Sequence, residues 1–229
     1  MKKFIIFKQG VLEELPLQLG VFPFGIIYGI MAIESGLTPI QAFLMSSIIF
    51  GGASQIAFVQ LISSATPLGV IVTTVSAINS RHFLYSISMM EYLKNLSLKW
   101  RIVLSYLLTD EAYAVSIRRF INEPSTSFLH FHLLGTGITL FLSWQISTLI
   151  GVLVGGDLPQ FLDLQFIIPL TFIAIIVPMI KSISTFFVVI ASAFSGLILK
   201  SLDINFWIVI SGMIGVVIGL TSSKLDKKR

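Results

Sequence analysis

The apolar runs constrain this chain more than any other feature. Eight follow one another, at roughly 15–33, 40–62, 67–90, 102–117, 128–154, 165–180, 184–199 and 204–220, and the connections between them are short. The run 67–90 is 24 residues long. As a helix it would span roughly 36 Å, enough for a bilayer core about 30 Å thick. Hydrophobic residues make up 55% of the chain and charged residues 11%, against about 25% charged in a soluble domain. A soluble fold could not hide so apolar a surface. The expectation is an all-α polytopic membrane protein of about eight membrane segments, forming one helical domain over 1–229.

The segments are not alike. The first carries Pro16, Pro23 and Gly25, and the second is interrupted by Gly51-Gly52-Ala53-Ser54-Gln55. Glycine pairs weaken a helix, and backbone groups freed in lipid must be met by protein or by a water-lined cavity. Two or more segments are therefore expected to be broken or re-entrant, near Pro23 and at Gly51 to Gln55. The fourth segment is short, with Asp110 and Glu111 near its centre. The sixth carries Pro169 and Pro178, and the eighth has Gly212, Gly215 and Gly219 for helix packing.

If all eight segments cross from a cytoplasmic N-terminus, ten Lys and Arg lie inside and four outside. With the second and fourth re-entrant, the counts are thirteen and one. Both arrangements put the N- and C-termini in the cytoplasm and leave the number of full crossings open. MKKFIIFKQG has only four apolar residues between its lysines, too few for a secretory leader. The terminal lysines and Arg229 suit an anionic inner leaflet of the lipid bilayer, and no basic face with interleaved aromatics points to nucleic acid. The chain has no cysteine, and its three histidines form no metal-binding spacing, so no cofactor or metal is expected.

Within 67–90 lies AINSRHFLY, residues 77–85, which puts a cation near mid-membrane. Arg81 there costs at least about 2.5–3.5 kcal/mol. On a continuous helix Asn79, His82 and Ser86 form one polar stripe, and Arg81 and Tyr85 a second beside it. Two roles fit Arg81: an ion pair with Asp110 or Glu111, or a place on the wall of a substrate path. His82 is a possible proton carrier or a hydrogen-bonded interior residue.

Gly51 and Gly52 fit either a helix end offering N–H groups to an anion, with Ser54 and Gln55 as side-chain donors, or a close contact between helices. Asp110 and Glu111 point in different directions on a helix, so at most one faces Arg81. The other binds an ammonium group, carries a proton, or meets water at the interface. Pro23-Phe24-Gly25 either breaks its helix opposite Gly51 or merely kinks it. Phe24, Phe50 and Phe58 are candidates for an apolar wall. His130, His132, Asp157 and Asp163 are read as solvated boundary residues.

Pro23-Phe24-Gly25, Gly51 to Gln55, Asn79-Ser80-Arg81-His82 with Tyr85, and Thr109-Asp110-Glu111, in that order, resemble the AzlC-type branched-chain amino acid permeases. These are the large subunits of two-component exporters. The resemblance implies export of leucine, isoleucine and valine across a bacterial inner membrane, with a small AzlD-type partner subunit. The residues themselves make Phe24, Gly25, Gly51, Gly52, Ser54, Gln55, Asn79 and Arg81 the candidate substrate-binding positions, and His82, Asp110 and Glu111 the candidates for proton coupling or ion pairing. The competing classes are a structural or regulatory membrane subunit and an intramembrane enzyme. For the enzyme, neither a metal motif nor a nucleophile elbow is present.

Overall fold

The computed structural model describes residues 2–123, 128–155, 180, 182–204 and 206–226, and among them every regular element is helical. Among the described residues, three helical stretches are long and apolar enough to cross a membrane: Lys2–Glu34, His130–Val154 and Ile183–Ser201. Pro39–Ile48, Gly52–Ser63 and Trp207–Ser222 are shorter apolar helices. The sixth expected segment, with Pro169 and Pro178, lies outside the described residues apart from residue 180, as do Asp157 and Asp163.

The chain divides into two compact units, Met1–Ser63 with Ile78–Leu158, and Ser64–Ala77 with Pro159–Arg229. In the first, α1 (Lys2–Glu14) runs through a 3-10 turn at Leu15–Leu17 into α2 (Gln18–Glu34). Pro23 lies inside α2, so it does not break that helix. A proline deletes one N–H and the helix can continue past it. The local irregularity falls instead at the turn containing Pro16. Gly36, in the left-handed region at φ +86°, ends α2, and the Leu37 N–H reaches back to Ala32 O at 3.1 Å. Thr38 and Gln41 then form a capping box that starts α3 (Pro39–Ile48).

Next come α4 (Gly52–Ser63), then α5 (Leu68–Asn79), which belongs to the second unit up to Ala77, and, back in the first unit, α6 (Arg81–Leu93), α7 (Leu98–Tyr106), α8 (Asp110–Asn122) and α9 (His130–Val154). The spine of this unit is α9. The α1–α2 arm lies parallel to it, because contacting residues rise together in number: Gly10 meets His132, Gly29 meets Thr148 and Gly151, and Gly155 meets Ile30 and Ile33. Small residues make this approach possible, as in Gly25-x3-Gly29 against Ser147-x3-Gly151. A Cβ on Gly29 would stand 2.5 Å from Thr148 O and 2.7 Å from Val152 N, so backbone meets backbone.

In the second unit α10 (Ile183–Ser201) and α11 (Trp207–Asp226) form an antiparallel pair. Ser184 and Ser222 are hydrogen-bonded at 2.7 Å, and Gly215 faces Ser192. Gly215 and Gly219 serve the packing expected of them, whereas Gly212 has no atom within 4 Å of where a Cβ would stand.

Candidate functional site

Three expected segments are interrupted in the middle. The second breaks at 49–51, between α3 and α4, where the glycine pair begins. The third breaks at Ser80, so Asn79 closes α5 while Arg81 and His82 open α6. A single continuous helix was expected over 67–90, and the structure corrects this. The fourth breaks at 107–109, which moves Asp110 and Glu111 from the middle of a helix to the first turn of α8. There the positive end of the helix dipole favours their charge.

The interruptions are brought together. Arg81 Nη1 lies 2.6 Å from Asp110 Oδ2, tying the start of α6 to the start of α8, with each side chain about one-third exposed (33% and 34%). Along the same face Tyr85 stacks on Tyr113 at 4.7 Å, and Ser88 is hydrogen-bonded to the Tyr113 hydroxyl at 2.9 Å. The other face of α6 lines a cavity of about 320 Å³, where Asn79, His82 and Ser86 meet Phe50, Ser105 and Tyr106. Arg81 does not line this cavity. Asn79 Oδ1 also sits against Gly51, 3.3 Å from where a Cβ would stand. Among the described residues, Asn79 Oδ1 and His82 Nε2 are buried and lack a hydrogen-bond partner.

Phe24 and Trp144 close over Gly52, where a Cβ would lie 3.0 Å from Phe24 Cε1 and 2.7 Å from Trp144 Cη2. Gly25 abuts Ser147. Ser54 is fully buried, and its hydroxyl donates to Gly51 O at 2.7 Å, so it closes the break instead of facing the cavity. Gln55 is also fully buried, beside Tyr28, whose hydroxyl donates to Ala42 O at 2.9 Å. Glu111 shares its surroundings with Glu14. Glu14 is fully buried and accepts a hydrogen bond from Gln18 Nε2 at 3.0 Å.

Spacing within the sequence did not reveal how α9 holds the end of α3. Ser46 pairs with Thr148 at 3.1 Å, Ser47 donates to Gln145 Oε1 at 3.0 Å, and Gln145 Nε2 donates to Ser46 O at 3.2 Å. The Tyr106 hydroxyl donates to Ser47 O. A glutamine inside the apolar run 128–154 was the available signal, since a polar side chain there needs a partner. His132 overturns its reading as a solvated boundary residue. It is fully buried and contacts Glu13 at 3.0 Å. His130 is half-buried, with Trp100 edge-on at 5.0 Å.

Long apolar helices, together with polar, broken helix ends in the first unit, define a helical membrane protein. The chain belongs to the AzlC family: the family model described as AzlC protein matches residues 16–158. It is similar to an uncharacterized membrane protein of Archaeoglobus fulgidus, 29% identical over 185 residues and covering 79% of each chain. It is 26% identical over 155 residues to the inner membrane protein YgaZ of Escherichia coli, covering 67% of this chain and 63% of that one. It is also 26% identical over 151 residues to the branched-chain amino acid transport protein AzlC of Bacillus subtilis, covering 66% of this chain and 58% of that one. The latter two matches span less than two thirds of those relatives' lengths. No solved structure matches the chain.

Proposed function

We propose that the protein is a secondary transporter that exports branched-chain or similar small hydrophobic amino acids across the inner membrane. It acts with a small AzlD-type partner subunit and keeps both termini in the cytoplasm. One observation carries the reading. The break at 49–51, the residues on either side of the break at Ser80 and the end of α7 line a cavity where Asn79 Oδ1 and His82 Nε2 are buried without partners. Leaving such a group unsatisfied costs about 1–3 kcal/mol, a penalty tolerated where a ligand supplies the partner.

Of the two roles open for Arg81, the ion pair with Asp110 is the better supported, since Arg81 does not face the cavity. The Gly51 helix end and Asn79 then receive the charged groups of the amino acid, and Phe24 and Phe50 offer apolar surface to its side chain. Asn79 Oδ1 and His82 Nε2 are shut off from solvent in this conformation, so binding requires the helix ends to part. Transport is coupled to an ion, in keeping with titratable His82, Asp110 and Glu111 at the break. Export and the partner subunit rest on the family resemblance, and the substrate class also on the name of the Bacillus subtilis relative.

The test is counterflow of radiolabelled leucine in liposomes, with and without the partner, across a pH gradient. Leucine exchange that depends on this protein is the expected result. Absence of exchange with both subunits present would refute the reading.

A further inference from the structure

A second polar cluster lies away from the helix breaks, at the other end of α8. His132 is fully buried in the first turn of α9. Its Nδ1 lies 3.4 Å from Ser116 Oγ, and Ser116 Oγ lies 3.1 Å from Thr136 Oγ1, which donates to Leu133 O at 2.9 Å. The polarity of this chain is fixed at its end. A carbonyl can only accept, so Thr136 donates to Leu133, Ser116 donates to Thr136, and Nδ1–H donates to Ser116. The nitrogen left to gain or lose a proton is Nε2. It faces Glu13 Oε2 at 3.0 Å, a contact that needs one proton between the two atoms.

Glu13 stands between this imidazole and water. Its side chain is 46% exposed and lines a cavity of about 500 Å³ with Arg118, Arg119, Asn122 and Glu123. Arg119 Nη1 holds Glu13 Oε1 at 2.9 Å, and Arg119 Nε lies 3.5 Å from Glu123. The charged groups facing His132 are thus Glu13 from α1, Arg119 from α8 and Glu123 just beyond α8. Arg119 keeps Glu13 compensated when the shared proton leaves. None of this touches the Gly51 and Asn79 cavity, and a histidine needed only for packing would not require a half-exposed carboxylate at its basic nitrogen.

We propose that the Glu13–His132 contact carries the coupling proton of the transporter. This rests on the reading of the protein as an ion-coupled amino acid transporter and names the ion and its carrier. A proton from water in the cavity bonds to the Glu13 carboxylate and passes to Nε2. The imidazolium then holds Nε2–H against Glu13 and Nδ1–H against Ser116. Release reverses both steps and returns Glu13 to a carboxylate.

Two measurements on the purified protein in liposomes, with its partner where needed, test this: leucine counterflow without a gradient, and leucine accumulation driven by a pH gradient. For H132Q and E13Q the expected result is persistent counterflow with loss of gradient-driven accumulation. Accumulation retained in both cluster variants would overturn the proposal. So would loss of counterflow together with accumulation in variants that elute as wild type on size exclusion, since the cluster would then serve transport itself. Should H132Q fail to fold, E13Q decides alone, because it preserves the imidazole and the shape of the site. Wild type without counterflow would instead fail the transporter reading on which the proposal stands.

Discussion

The backbone contact between α2 and α9 makes a quantitative prediction through two alanine substitutions of opposite sign. In a helix Ala is favoured over Gly by about 1 kcal/mol. At Gly20, where nothing lies within 4 Å of the new Cβ, G20A should gain that amount. At Gly151 the new Cβ would overlap the Ile26 carbonyl oxygen and stand 3.0 Å from Gly29 Cα. Neither obstacle is a side chain that could rotate away, so the two helices must separate along their contact. Overpacking costs about 1–3 kcal/mol, and a backbone clash belongs at the upper end. Subtracting the propensity gain leaves G151A destabilised by about 2 kcal/mol, or about thirtyfold in the folded-to-unfolded ratio. Titrating the purified protein from mild detergent into dodecyl sulfate, followed by circular dichroism, should separate the two variants by about 3 kcal/mol. G151A as stable as G20A would refute the reasoning.

R81Q and D110N should each destabilise the protein by about 1–2 kcal/mol, between the values for exposed and buried ion pairs, and the double variant should recover most of the loss in the same titration. The double variant should still bind leucine, and loss of binding in a folded double variant would return Arg81 to the substrate site. N79A should weaken leucine binding about tenfold in equilibrium dialysis, through loss of one hydrogen bond to a charged group. Unchanged affinity would remove Asn79 from the site. Y106F should cost about 1 kcal/mol of stability by freeing the Ser47 carbonyl that accepts the hydroxyl, and an unchanged unfolding midpoint would count against that bond.

Where the sequence carried a local cost, the structure could be read from it. The glycine pair at 51–52 marked a helix end, and Arg81 in an apolar run demanded a partner, found in Asp110. The break at Ser80 was not legible, since AINSRHFLY contains neither glycine nor proline. Conversely Pro23 carried a break signal but lies within α2, because losing one hydrogen bond does not oblige a helix to stop. The polar partners on α9 were hidden for another reason: Ser46 and Thr148 are 102 residues apart, a separation at which periodicity says nothing. Glu13 and His132 were hidden in the same way, 119 residues apart and each near the end of an apolar run.

These contacts differ in kind, and the difference assigns them to moving and fixed parts. The α1–α2 arm meets α9 through glycines, backbone on backbone, over most of the length of α9. Such a contact has no rotamer to change and favours motion as one body. The broken helices are joined by side chains that can let go: Arg81 to Asp110, Tyr106 to Ser47, and Asn79 against Gly51. For the proposed transport function, opening the cavity would require the half-helices to shift against the arm and spine. His132 sits on that spine and Glu13 on the arm, so their contact persists while the half-helices move. Two partners of the Glu13–His132 pair, Arg119 and Ser116, ride on α8, one of the half-helices. In the proposed proton relay, a shift of α8 would withdraw Arg119 from Glu13 and Ser116 from His132 together, so proton release would be linked to the position of α8.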